Sequence, residues 1–132
     1  MSSVPGAAWD SRFLKSPEFT RLVLHQPAIL TIPVLGVVPI GMNKAQIEEL
    51  VAAFAAAAER CKKGGIDGVE LHASRGYLPQ QFMSAMLNHR DDEYGGSFEN
   101  RMRFTVEVLS AIRERVGADY PVGVRLSPEI VE

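Results

Sequence analysis

The chain has a single cysteine, Cys61, among 132 residues. One cysteine excludes an intrachain disulfide and cannot by itself supply a zinc or iron–sulfur site. It also lacks a charge of one sign: 14 lysines and arginines stand against 16 aspartates and glutamates, a formal net charge of −2. That balance gives no reason to expect nucleic acid or an anionic membrane as partner. No apolar run is long enough to span a bilayer, and the opening MSSVPGAAWDSR lacks the basic-then-apolar pattern of a secretory signal. The default expectation is a cytoplasmic protein. With 46% hydrophobic and 23% charged residues, the composition is that of one globular unit with a modest core.

The chain divides near Asn43. Residues 1–42 are rich in proline (Pro5, Pro17, Pro27, Pro33, Pro39) and lack a sustained period. Ala28–Val38 is apolar and β-branched, but Pro33 and Gly36 interrupt it, so it reads as an irregular strand or extended loop. From residue 43 to 132 the signals sharpen. Asn43 with Gln46 forms a capping-box pattern. Ile47, Leu50, Val51, Phe54, Ala57, Ala58 and Cys61 follow at helical spacing until Gly64-Gly65. Gly68–His72 reads as a strand, and Pro79 opens a short helix through Leu87 that should bury Phe82, Met83 and Met86. Ser97 caps a longer helix with Phe98, Phe104, Val108, Leu109, Ile112 and Val116 inside, ended by Gly117. Val122–Leu126 is a second strand. Both strands are continuously apolar rather than alternating, which indicates a parallel sheet covered by helices.

The chemistry gathers where the first strand ends. GVELHASRGYL at Gly68–Leu78 runs from an apolar strand into His72, a tight Ser-Arg-Gly turn and Tyr77. Titratable groups at the carboxyl end of a buried strand are where α/β barrels place their active sites. A histidine there is, out of context, more often a satisfied structural group. Tyr77 also suits a packing role, and Arg125 suits a pairing with a carboxylate. In the loop NHRDDEYGGSFENRMRF, the residues Asn88, Arg90, Asp92, Tyr94, Asn100, Arg101 and Arg103 read as structural, because a loop this polar needs internal hydrogen bonds to hold one shape. His25 and His89 read as ordinary loop residues.

Together DGVELHASRGYL, QF, NHRDDEYGGSFENRMRF and VGVRLSP resemble, in residues and in spacing, the signature region of the old yellow enzyme family of flavin-dependent NAD(P)H oxidoreductases. The resemblance covers roughly residues 39–128. It implies an α/β fold, part of a TIM (β/α)8 barrel of two to three βα units, with FMN at the carboxyl ends of the strands. It implies an NAD(P)H-driven reduction of activated alkenes, with a small-molecule substrate. The position matching His72 hydrogen-bonds the substrate's carbonyl or nitro oxygen. The one matching Tyr77 delivers a proton, and the one matching Arg125 lies at the flavin's pyrimidine edge.

Two departures stand out. Where the family usually has asparagine or histidine three residues after the strand histidine, this chain has Arg75, a permanently charged group that grips carboxylates or phosphates. It suits either an anionic substrate or an internal ion pair with Asp or Glu. An eight-fold barrel also needs about 250 residues, more than these 132 supply. The expectation is an enzyme piece that works only when further sequence, self-association or a completing chain finishes the barrel. The alternative is a non-catalytic remnant that only associates. A third reading, an anion loop at Gly95-Gly96-Ser97 in an unrelated barrel, competes with the family match for the same residues.

Overall fold

The computed structural model describes residues 25–26 and 40–128. Most of the proline-rich segment, including Ala28–Val38, lies outside the described residues. Two strands of that region are described: β1 (His25–Gln26) pairs in parallel with β2 (Ile40–Gly41), so His25 belongs to a strand rather than a loop.

Helix α1 (Lys44–Lys63) starts as its capping box requires. The Asn43 side chain accepts from Gln46 N at 3.0 Å, and Gln46 Oε1 accepts from Asn43 N at 2.9 Å. Its buried face is narrow, made of Ile47, Ala55 and Ala58. The two alanines let it lie close against α3 (Phe98–Val116), whose own buried stripe is Phe104, Thr105, Val108, Ile112 and Val116. Lys62 Nζ reaches across to cap α3, donating to Val116 O at 2.7 Å. Phe98 is not part of the stripe and is 64% exposed. Six residues before Phe104, it sits about 120° round a helix of 3.6 residues per turn. Leu109 is likewise only partly buried, at the edge of the core.

The strands are β3 (Val69–Ala73) and, after the return through α2 (Leu78–Met83) and α3, β4 (Val122–Leu126). The strands pair in parallel, Val69 with Val122 through Ala73 with Leu126, as their apolar character predicts. Arg113 at the end of α3 fixes the approach to β4: its guanidinium donates to the carbonyls of Gly117, Ala118 and Tyr120. Leu71 and Ala73 are buried toward the helices, whereas β4 is covered poorly, with Val124 and Leu126 exposed. Among the described residues neither outer edge of the β3–β4 pair has a further strand.

Helix α2 is shorter than its apolar pattern suggests. It ends at Met83 because the Ser84 hydroxyl accepts from Met86 N (3.2 Å) and Leu87 N (3.3 Å), giving the backbone an alternative to another helical turn. Phe82 is fully buried as expected, but Met83 is only partly buried and Met86 is 64% exposed.

The polar loop between α2 and α3 holds itself together. Asn88, 5% exposed, donates through its amide to Phe82 O and Tyr94 O, both at 2.7 Å, and accepts from Arg90 N at 3.1 Å. Arg90 grips Asp92 with two nitrogens and donates to Met42 O at 2.7 Å. Arg101 donates to Met83 O and Gly96 O, and Arg103 to Glu93 O and Asn100 Oδ1. The Tyr94 hydroxyl donates to Glu107 at 2.9 Å; burial and that carboxylate hold its phenol well above the usual range, so it remains a donor.

The Arg90 hydrogen bonds hold Asp92 below the ordinary carboxylate range, against the opposing effect of partial burial. Asp92→Asn is expected to cost about 2 kcal/mol at pH 7. Because the folded value is depressed, this stabilisation is complete above the unfolded value of about 4 and is lost as pH falls through the folded one. Urea midpoints of variant and parent should converge in acid. A gap that persists unchanged to pH 2 would place the effect elsewhere.

Candidate functional site

Period two along β3 places Glu70 and His72 on the face opposite Leu71 and Ala73, away from the helices. In the parallel register His72 is level with Arg125 and Glu70 with Gly123. This face is open: a Cβ built on Gly123 would meet only Glu70 Cγ, at 3.8 Å.

Beyond the strand, Tyr77 N donates to Ser74 O at 3.2 Å and closes a four-residue turn. Both central residues, Arg75 (φ 55°) and Gly76 (φ 77°), are left-handed, the pattern of a type I′ turn. Glycine takes this readily, but arginine does so at a cost of about 1–2 kcal/mol. Two glutamines from α2 clamp the turn. Gly76 N donates to Gln80 Oε1 and Gln81 Nε2 donates to Gly76 O, both at 2.5 Å. Non-glycine residues held in this region concentrate at functional sites.

The turn folds Tyr77 back over the strand end. Its ring meets His72 edge to face, centroids 4.8 Å apart at 74°. Ser74 Oγ, on a buried residue, lies 3.4 Å from His72 Nε2, a long contact in which donor and acceptor depend on the imidazole tautomer. His72 is half-buried and Tyr77 is 60% exposed. Arg125 Nε donates to Glu70 Oε1 at 2.7 Å, both side chains more than half exposed. The carboxylate pairing open to Arg125 in the sequence is therefore present, and it leaves the remaining guanidinium N–H groups available. The structure brings His72, Tyr77 and Arg125 to one end of the sheet. Arg75 is exposed and lines a cavity between α2 and α3 whose wall includes neither His72 nor Tyr77. Glu70 and Ser74 were not singled out in the sequence, although the two-residue period already puts 70, 72 and 74 in line.

No group of three or more histidine, cysteine, aspartate or glutamate side chains among the described residues is arranged to hold a metal. Gly95-Gly96-Ser97 forms no anion loop: Ser97 Oγ accepts from Asn100 N of its own helix, and Gly95 packs on Arg90.

Parallel strands with a helical return and polar groups at their carboxyl ends are the arrangement of a segment of a (β/α)8 barrel. Comparison with known proteins agrees. The chain belongs to the NADH:flavin oxidoreductase / NADH oxidase family, whose model matches residues 25–132. A metal reductase of Desulforamulus reducens is 47% identical over 106 residues, covering 77% of this chain and 16% of that protein. A cinnamate reductase of Clostridium sporogenes is 53% identical over 83 residues, covering 62% of this chain and 12% of that protein. The structure of morphinone reductase in complex with tetrahydroNAD superposes with a TM-score of 0.72 at 35% identity, over 82% of this chain and 33% of that one. The chain thus spans a third or less of these relatives, and the fold is the old yellow enzyme barrel in part.

The residues present fit one end of an FMN molecule. The open face with Arg125 and Gly123 has room and a cation for the ring. The phosphate finds no cradle among the described residues, because the N-termini of α1 and α3 are closed by their own caps, Asn43 and Ser97.

Proposed function

We propose that this chain forms the substrate-polarising part of an FMN-dependent, NAD(P)H-consuming oxidoreductase that reduces activated alkenes. The observation that carries this reading is the Tyr77 ring seated on His72 at the end of β3, level with Arg125. Bound flavin would supply the hydride, taken from NAD(P)H and passed to one alkene carbon. An imidazole N–H of His72 donates to the substrate's carbonyl or nitro oxygen and stabilises the negative charge that develops there. The Tyr77 hydroxyl, exposed and within reach of the same space, gives a proton to the other carbon. Arg125, charged throughout and paired with Glu70, would stabilise negative charge on the reduced ring when flavin is bound. The phosphate grip comes from outside residues 40–128, so activity requires a completed barrel, whether further sequence, self-association or a completing chain supplies the rest. Among the described residues the uncovered face of β4 and the open edges of the β3–β4 pair favour a completing element. They equally suit a remnant that only associates.

The test is a graft of residues 40–128 into a full-length relative in place of its matching segment. The graft should bind FMN and reduce a nitroalkene or enone with NAD(P)H. His72→Ala should lower kcat/KM by about 10²–10³-fold. A graft that binds flavin yet is indifferent to His72→Ala would remove that role. A graft that is well folded but never active would favour the remnant.

A further inference from the structure

On the face that β3 and β4 turn away from the helices stand three polar side chains, Glu70, His72 and Arg125. His72 and Arg125 are level, and Glu70 lies one step back along the sheet, level with Gly123. In a barrel this face is the interior. A packed interior holds a charge only when it is paired, and the pair is made here: Arg125 Nε donates to Glu70 Oε1 at 2.7 Å. Gly123 keeps the lane between them clear. A Cβ there would already meet Glu70 Cγ at 3.8 Å, so a longer side chain would stand where the glutamate stem passes. While exposed, such a pair stabilises a fold little, so stability is not what it provides. Its geometry provides something else. The bond engages Nε from the amino-terminal side of Arg125 and leaves both terminal nitrogens without a partner among the described residues.

We propose that Glu70 is a positioning residue for Arg125: it anchors the guanidinium by Nε, leaves the terminal nitrogens to meet the flavin ring, and sets through its negative charge how strongly that cation favours the reduced ring. The role presupposes the flavin-dependent reading of the site and adds to it a control on the reduction potential. A lone cation beside the ring holds hydride there. The carboxylate loosens that hold, so that hydride gained from NAD(P)H can be passed on.

The test uses the graft of residues 40–128 in a full-length relative, loaded with FMN, and reads the two-electron midpoint potential by titration against a reference dye. Glu70→Gln keeps the stem and an oxygen that accepts from Nε, and removes only the charge. It should favour the reduced ring by about tenfold, a rise of about 30 mV for a two-electron couple, because one unit charge is lost from a water-poor interior. Arg125→Gln should lower the potential, and the double variant, one neutral pair in place of another, should return close to the parent. In single-turnover kinetics Glu70→Gln should speed flavin reduction by NAD(P)H and slow the alkene half-reaction, a split that loss of folding does not give. If the graft holds FMN and Glu70→Gln leaves the potential unmoved or lowers it, this role of Glu70 is overturned while those of His72 and Tyr77 stand. Shifts of one sign from both single variants would overturn it equally. A folded graft that shows no bound-flavin spectrum would overturn the flavin reading and this role together.

Discussion

Gly95→Ala should destabilise the chain by about 4 kcal/mol or more, the range reserved for a clash with no room to relax. A Cβ at this position would lie 2.6 Å from the Arg90 carbonyl carbon and closer still to its oxygen. The obstacle is backbone, and Arg90 is tied to Asp92, Met42 and Asn88. Neither side of the contact is free to withdraw. Gly96→Ala is the matched control: its φ of 76° is left-handed but nothing lies within 4 Å of the added carbon. There only backbone strain of about 1 kcal/mol is expected. Urea unfolding of the two variants separates the causes, and equal losses would show that the close approach is not what the first glycine provides.

Phe104→Ala should cost about 3–5 kcal/mol. Phe104 is fully buried and stacked on Phe82 at 4.4 Å, with Phe54 against its edge at 6.4 Å. One ring thus joins α1, α2 and α3. Its removal leaves a cavity under α2, the helix whose Gln80 and Gln81 clamp the turn before Tyr77. A second readout follows: weaker contact between the Tyr77 and His72 rings, seen as reduced ring-current shifts in the folded variant. Phe54→Ala, farther from α2, should lower stability without that signature. If both variants leave the Tyr77 shifts alone, the packing does not reach the turn.

Much of this arrangement was legible from local chemistry. Asn43 with Gln46, Ser97 and Gly117 mark helix ends because caps act within one turn. The apolar strands signalled parallel pairing, although in the described residues β3 is buried only toward the helices and β4 is largely exposed. The structural role of Asn88, Arg90, Asp92 and Tyr94 followed from the need to satisfy a polar loop. Other features depend on geometry that no short pattern encodes. Met86 looked like a core residue until the Ser84 hydroxyl diverted the backbone. Phe98 lies in the apolar pattern of α3, yet its angle on the helix differs from that of Phe104 and leaves it exposed. The direction of Arg75 was set by a left-handed turn, and the partner of Arg125 was Glu70, far away in sequence but adjacent across the sheet.

The segment from Asn88 to Arg103, a loop and the first turns of α3, takes most of its hydrogen-bond partners from its own neighbourhood: Phe82, Met83, Glu93, Tyr94, Gly96 and Asn100. Among the described residues its outward ties include the Arg90 bond to Met42 O, the Tyr94 bond to Glu107 and the Lys44–Glu93 ion pair. Such a segment is portable. Moved into another barrel, it brings its own scaffolding, and the host has to supply only the surface on which it rests.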